Sequence, residues 1–173
     1  YDRPTGKSAV DAQGGYYDYD LANMVMDKIN TLRTENKLDG LTYHPQIQEW
    51  ASTRAKELEY VYTNASGEVT SDMAHTRPDG TRCFTVQGNV GVPSSENALY
   101  AGNYSQRITD IDNFASDLVN SWYNSIGHRQ AMLKSVSKHA AISCYVKEDS
   151  AYLIHLFSDL GIYVIDLKLG WIK

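Results

Sequence analysis

The chain has 173 residues, 42% of them hydrophobic, and 16 Lys and Arg against 21 Asp and Glu give it a net charge of −5. That length suits one domain, or one domain with a tail, and the composition supports a real core. Scattered cations in an acidic chain argue against general nucleic-acid binding, and no apolar run approaches the roughly 18 residues of a membrane span.

Residues 1–18, YDRPTGKSAVDAQGGYYD, have no periodicity and read as a tail, linker or strap ahead of a domain at 19–173. From Asp20, which can cap the start, Leu21, Met24, Val25, Ile29 and Leu32 recur at helical spacing and predict a helix ending near Asn36. His44-Pro45 opens a second helix, with proline in the first turn. Its apolar face is Ile47, Trp50, Ala51, Ala55 and Leu58, interrupted by Arg54, which either snorkels or meets a buried carboxylate. Residues 63–72 read as a polar loop, FTVQGNV as a strand or loop, and 94–103, SSENALYAGN, as a short helix opened by Ser94 or Ser95. A further helix spans about 109–124, with Phe114, Leu118, Val119 and Trp122 on its core side, and a short one follows in HRQAMLK. Residues 140–147 and 151–157 alternate around KEDS, a β-hairpin, and GIYVIDLKLGWIK adds a strand or wraps the surface. Helices first and an antiparallel sheet last predict an α+β layered fold.

The chemically capable residues gather in four places: His75 in AHTRPDG, Glu96 in SSENA, SWYNS up to Ser125, and His128 in IGHRQAM. Two imidazoles and a carboxylate serve either as metal ligands with an open position or as an acid–base group, and spacing does not choose. Pro78 and Gly80 make RPDG a turn, while Ser125 is expected to cap the helix bearing His128. His155 shares parity with Leu153 and Phe157 and is expected buried and hydrogen-bonded; His139 is expected in an exposed loop. Cys83 and Cys144 read equally as one disulfide or as two small buried thiols.

HTRPDG, SEN, SWYNSIGHRQAML and ISCYVKE…YLIHLF, in that order after INTLRTENKLDGLTYHP and IQEWASTRAKEL, resemble the CAP superfamily, the SCP domain of cysteine-rich secretory proteins, antigen 5 and plant pathogenesis-related proteins. The likeness spans roughly residues 20–158 and is nearest to the bacterial branch. It implies a three-layer α-β-α sandwich with a central antiparallel sheet and a cleft lined by a histidine–glutamate tetrad. His75 matches the first histidine, Glu96 the glutamate of a GEN motif that reads SEN here, and His128 the second histidine. The second glutamate falls on Ser125, so the cleft set here is His75, Glu96, His128 and Ser125. The resemblance implies a divalent cation such as zinc on His75 and His128, held weakly because one carboxylate is missing. It further implies a secreted or cell-surface monomer that binds a small molecule, lipid or protein. The alternative is a metal- or histidine-dependent hydrolase.

Overall fold

The structure is a computed structural model that describes residues 1–172. Its strands are β1 (Tyr16–Tyr17), β2 (Thr42–Tyr43), β3 (Ser95–Ala101), β4 (His139–Lys147) and β5 (Ser150–Ser158); its helices are α1 (Tyr19–Glu35), α2 (Pro45–Asn64), α3 (Ser71–Ala74), α4 (Tyr104–Arg107), α5 (Ile111–Tyr123), α6 (Ile126–Met132) and α7 (Ile162–Leu169). Among the described residues the strands form one five-stranded sheet in the order β1-β4-β5-β3, with β2 also pairing β4. The pairings are antiparallel except the short β2–β4 contact.

The β4–β5 hairpin forms the middle layer, and nearly every residue in it is buried. Strand alternation sends successive side chains to opposite faces. Ala140, Ile142, Cys144, Val146, Leu153 and Phe157 pack under α1 and α5. Ala141, Tyr145, Tyr152, Ile154 and Leu156 pack against α2 and α7. The result is the α-β-α sandwich that the resemblance implied. Glu148 and Asp149 close the hairpin with φ of 48° and 63°, the left-handed pair that matches strand twist.

Helix α1 is capped by Asp18, whose Oδ1 accepts the Leu21 amide at 3.0 Å, so the cap lies two residues before the expected Asp20. Its far end carries Arg33, fully buried. The Arg33 guanidinium donates to the carbonyls of Asp39, Met132, Lys134 and Ser137 and ties α1 to the loop before β4. Helix α2 begins with His44 as N-cap: its Nδ1 accepts the Gln46 amide at 3.1 Å, and its Nε2 meets Asp166 of α7 at 2.8 Å. An Nδ1 that accepts carries no proton, so Nε2–H is the donor to Asp166.

Three expectations are corrected here. Residues 95–101 form strand β3, not a helix, because β5 offers Ser95–Ala101 a full antiparallel partner. The FTVQGNV stretch, read as a strand or loop, takes the loop alternative and opens with a 3-10 turn over Cys83–Gln87. The C-terminal segment is helix α7, closed by Gly170 at φ 76°, not a strand or wrap. His139 is buried in β4, donating from Nδ1 to the Leu160 carbonyl at 2.8 Å, not exposed. Residues 1–18 run along the domain: β1 pairs β4, Lys7 bridges Asp18, and the Tyr1 hydroxyl donates to Asp166 at 2.7 Å. No helix among the described residues is long and apolar enough to cross a membrane.

Candidate functional site

The site is built from the turn outward. In RPDG the Gly80 amide donates to the Arg77 carbonyl at 2.8 Å, and the Arg77 amide to the Thr81 carbonyl at 2.8 Å. Gly80 sits at φ 87°, a conformation open to glycine at little cost. Asp79 Oδ1 accepts from the Thr81 amide and hydroxyl. The turn closes a small hairpin: Thr76 bridges Arg82, and the Cys83 amide donates to the His75 carbonyl at 2.9 Å. The two ends of HTRPDGTRC are thereby held side by side.

Glu96 comes to them from β3, with its side chain 1% exposed. Arg54 of α2 grips it from behind, Nε to Oε2 at 2.9 Å and Nη2 to Oε1 at 3.1 Å. His75 Nδ1 lies 2.8 Å from Oε1. The network continues outward through Glu57, which accepts from Arg54 Nη1 and from Arg77 Nε and Nη2. Arg54 thus breaks the apolar stripe of α2 because it pairs with a buried carboxylate. Burial opposes ionisation of Glu96. The hydrogen bonds from His75 and Arg54, with the Arg54 charge, outweigh that and hold its carboxyl below the usual range. An ionised carboxylate only accepts, so His75 donates from Nδ1 and keeps Nε2 as its outward nitrogen.

His128 arrives on α6 from the other helical layer and is half-buried. Burial pushes its pKa down, and repulsion from a charged His75 adds to this. Two contacts fix its approach across the edge strand: Asn97 Nδ2 donates to the His128 carbonyl at 3.2 Å, and the buried Trp122 donates from Nε1 to the Ala98 carbonyl at 3.1 Å. Asn97 therefore bridges β3 to α6. Ser125 occupies the N-cap of α6 but caps it with its carbonyl, which accepts the Arg129 amide at 2.8 Å; its hydroxyl makes no cap bond. The structure joins His75 and Glu96 directly and sets His128 near them with no ring hydrogen bond among the described residues. A surface groove of about 250 Å³ borders the same hairpin, lined by Val61, Asp72, Met73, Thr76 and Arg77.

Sequence reasoning missed Cys83. One ligand atom each from His75, Cys83 and Glu96 lies within 4.8 Å of the others, an imidazole, thiol and carboxylate set of the kind zinc accepts; His128 is outside it. The signal was present, since His75 and Cys83 flank RPDG at hairpin spacing. The Cys83 thiol is pushed up to about 12, first by burial and then by the Glu96 charge. Cys83 and Cys144 are both free, which corrects the disulfide alternative. The reason is geometric: Cys144 faces the α1 and α5 side of β4, whereas Cys83 lies across the sheet beside Arg54 and Glu96.

The fold is shared with solved structures of low sequence identity. An outer surface protein from Borrelia burgdorferi superposes with a TM-score of 0.60 at 15% identity, over 89% of this chain and 97% of that one. An extracellular protein containing an SCP domain from Bacillus anthracis str. Ames gives 0.55 at 16%, over 80% of this chain and 40% of that one. NaASP2, solved with Zn2+, gives 0.52 at 10%, over 82% and 81%. No match emerged among curated protein sequences. The family model described as the cysteine-rich secretory protein family, CAP, matches residues 26–165, a span that holds the whole site, and the chain belongs to that family.

Proposed function

We propose that this CAP domain is a secreted or cell-surface binding module whose His75, Glu96 and His128 cleft, with Ser125 at its rim, holds a small ligand, a peptide or a lipid. The observation that carries the reading is the state of Glu96. Both of its oxygens are taken by Arg54 and His75, so it is an anchor that orients an imidazole rather than a free base. What remains for a ligand is the outer nitrogen of His75, whose side chain is 19% exposed, and the ring of His128, which has no hydrogen-bond partner among the described residues. A hydrolase needs a nucleophile within reach of a base. The Cys83 thiol, raised to about 12 beside an anion, is a poor one, and among the described residues the Ser125 side chain has no basic partner. Structural relatives described as an outer surface protein and an extracellular protein support the location.

The test is thermal melting of chelator-treated protein with palmitate, phosphatidylcholine vesicles and a short-peptide pool. A ligand selective for the folded state at about 100 times its Kd adds about 2.7 kcal/mol, a rise of roughly 5–10 °C for a domain of this size. One class is expected to produce that rise in wild type and not in His75→Ala or His128→Ala proteins that melt normally alone. Hydrolysis of a peptide or ester substrate that disappears in folded His75→Ala would replace this reading with the hydrolase one.

A further inference from the structure

The hairpin around RPDG presents two side chains, not one. Its closing bond, Cys83 amide to His75 carbonyl, sets an imidazole and a thiol together at its base, and Glu96 is the third corner of the triangle. Each corner is fixed from behind. Arg54 holds Glu96, Glu96 holds His75, and Cys83 is 3% exposed. We propose that His75, Cys83 and Glu96 form a binding site for a borderline-soft divalent metal such as zinc, with Cys83 as a thiolate ligand.

Charge favours this set over the two histidines. His75, His128 and Glu96 bring one negative charge to a dication, because Ser125 stands where a second carboxylate would be. A thiolate and a carboxylate bring two, and Cys83 supplies what Ser125 does not. Donor type agrees, since nitrogen, sulfur and oxygen bind zinc at about 2.0–2.3 Å in a tetrahedron. Ligand atoms around such an ion are roughly 3.3–3.8 Å apart, so donors within 4.8 Å of one another need close by at most roughly 1.5 Å, and the His75 Nδ1–Glu96 Oε1 pair, 2.8 Å apart, opens slightly. The partly exposed His75 side chain gives the ion a way in and leaves the fourth position toward solvent. On binding, the Cys83 S–H bond breaks, its proton goes to solvent and the sulfur–metal bond forms; a neutral His75 that ligates through Nδ1 moves its proton from Nδ1 to Nε2 by exchange with solvent, with no change of oxidation state. The site shares His75 and Glu96 with the cleft but goes beyond that reading: it adds Cys83 and does without His128.

Titration of the reduced, metal-free chain with cobalt(II) tests it. One equivalent is expected to bind with a near-ultraviolet thiolate-to-cobalt charge-transfer band. In Cys83→Ser the band disappears and cobalt and zinc bind more weakly by roughly tenfold or more, while His128→Ala keeps the band. Zinc raises the melting temperature of wild type and not of Cys83→Ser, whose metal-free melt shows that it folds; if it does not fold, Cys83→Ala carries the same comparison. Absence of binding, cobalt bound without the band, unchanged affinity in the Cys83 variants, or a band lost in His128→Ala would each overturn the site. Because the ligand melts use chelated protein, failure here is distinct from failure of the cleft reading.

Discussion

His155 is wholly buried in β5, with its ring centroid 3.8 Å from that of Phe157 and 6.0 Å from that of Trp122. Neither ring nitrogen has a partner among the described residues. Burial, with a smaller contribution from the Arg33 charge, pushes its pKa down to about 3. A histidine whose pKa is depressed by folding stabilises the fold fully above its unfolded value of about 6.5 and loses that stability as pH falls. The unfolded chain takes up the proton first, and the folded chain does not until about pH 3. Between pH 7 and pH 5 the linkage integral comes to about 2 kcal/mol. It hardly depends on the folded value as long as that stays well below 5. We expect His155→Leu, close in volume, to gain about 1 kcal/mol at pH 7, because an unpaired buried polar group costs about 1–3 kcal/mol and the lost aromatic contacts return about 0.5–1.5 kcal/mol. Its advantage over wild type then widens by about 2 kcal/mol at pH 5, or roughly 4–8 °C in Tm. Urea melts of both proteins at pH 7, 6 and 5 measure this. A difference that stays flat across the series would show that His155 titrates normally in the fold, and the reasoning would fail.

Arg54→Met leaves Glu96 buried with only His75 beside it, and breaking a buried pair this way costs about 3–5 kcal/mol. A loss under about 1 kcal/mol in urea melts would mean that the pair does not hold the site together. Both cysteines are expected to resist alkylation in the native protein and to take one alkyl group each once unfolded without reductant, read by intact mass. An unfolded chain that stays unmodified until reduced would restore the disulfide.

The legible parts of this fold are those whose stability is local. Leu21 to Leu32 and Ile47 to Leu58 announce α1 and α2 by spacing, and the hairpin announces itself by parity. Strand β3 was hidden because SSEN looks like a capped helix start, and only its pairing with β5 makes it extended. In α7 the β-branched run around Tyr163 reads as strand, yet Ile165 and Asp166 are buried in a helix; docking overrides propensity. His139 was misplaced because it looked like loop, whereas β4 begins with it. Parity places His155 in the core, where it lies, but reports only which face a side chain takes; the hydrogen bond expected of it is absent among the described residues. At the site, resemblance supplied His75, Glu96 and His128. The buried carboxylate beside Arg54 was open in the stripe on α2, and Cys83 needed the hairpin to be seen.

The strand pairings also set an order in time. Among the described residues, strands β1 and β2 pair only with β4, and β3 only with β5, and both partners lie within residues 139–158. On the ribosome, then, residues 1–138 emerge with helices and three strands that have nothing to pair with. The apolar faces of α1, α2 and α5 lack the sheet that covers them in the fold until the hairpin appears. The sheet therefore cannot close before residues 139–158 are available, and a chain stopped before residue 139 lacks the strands that every other strand pairs with.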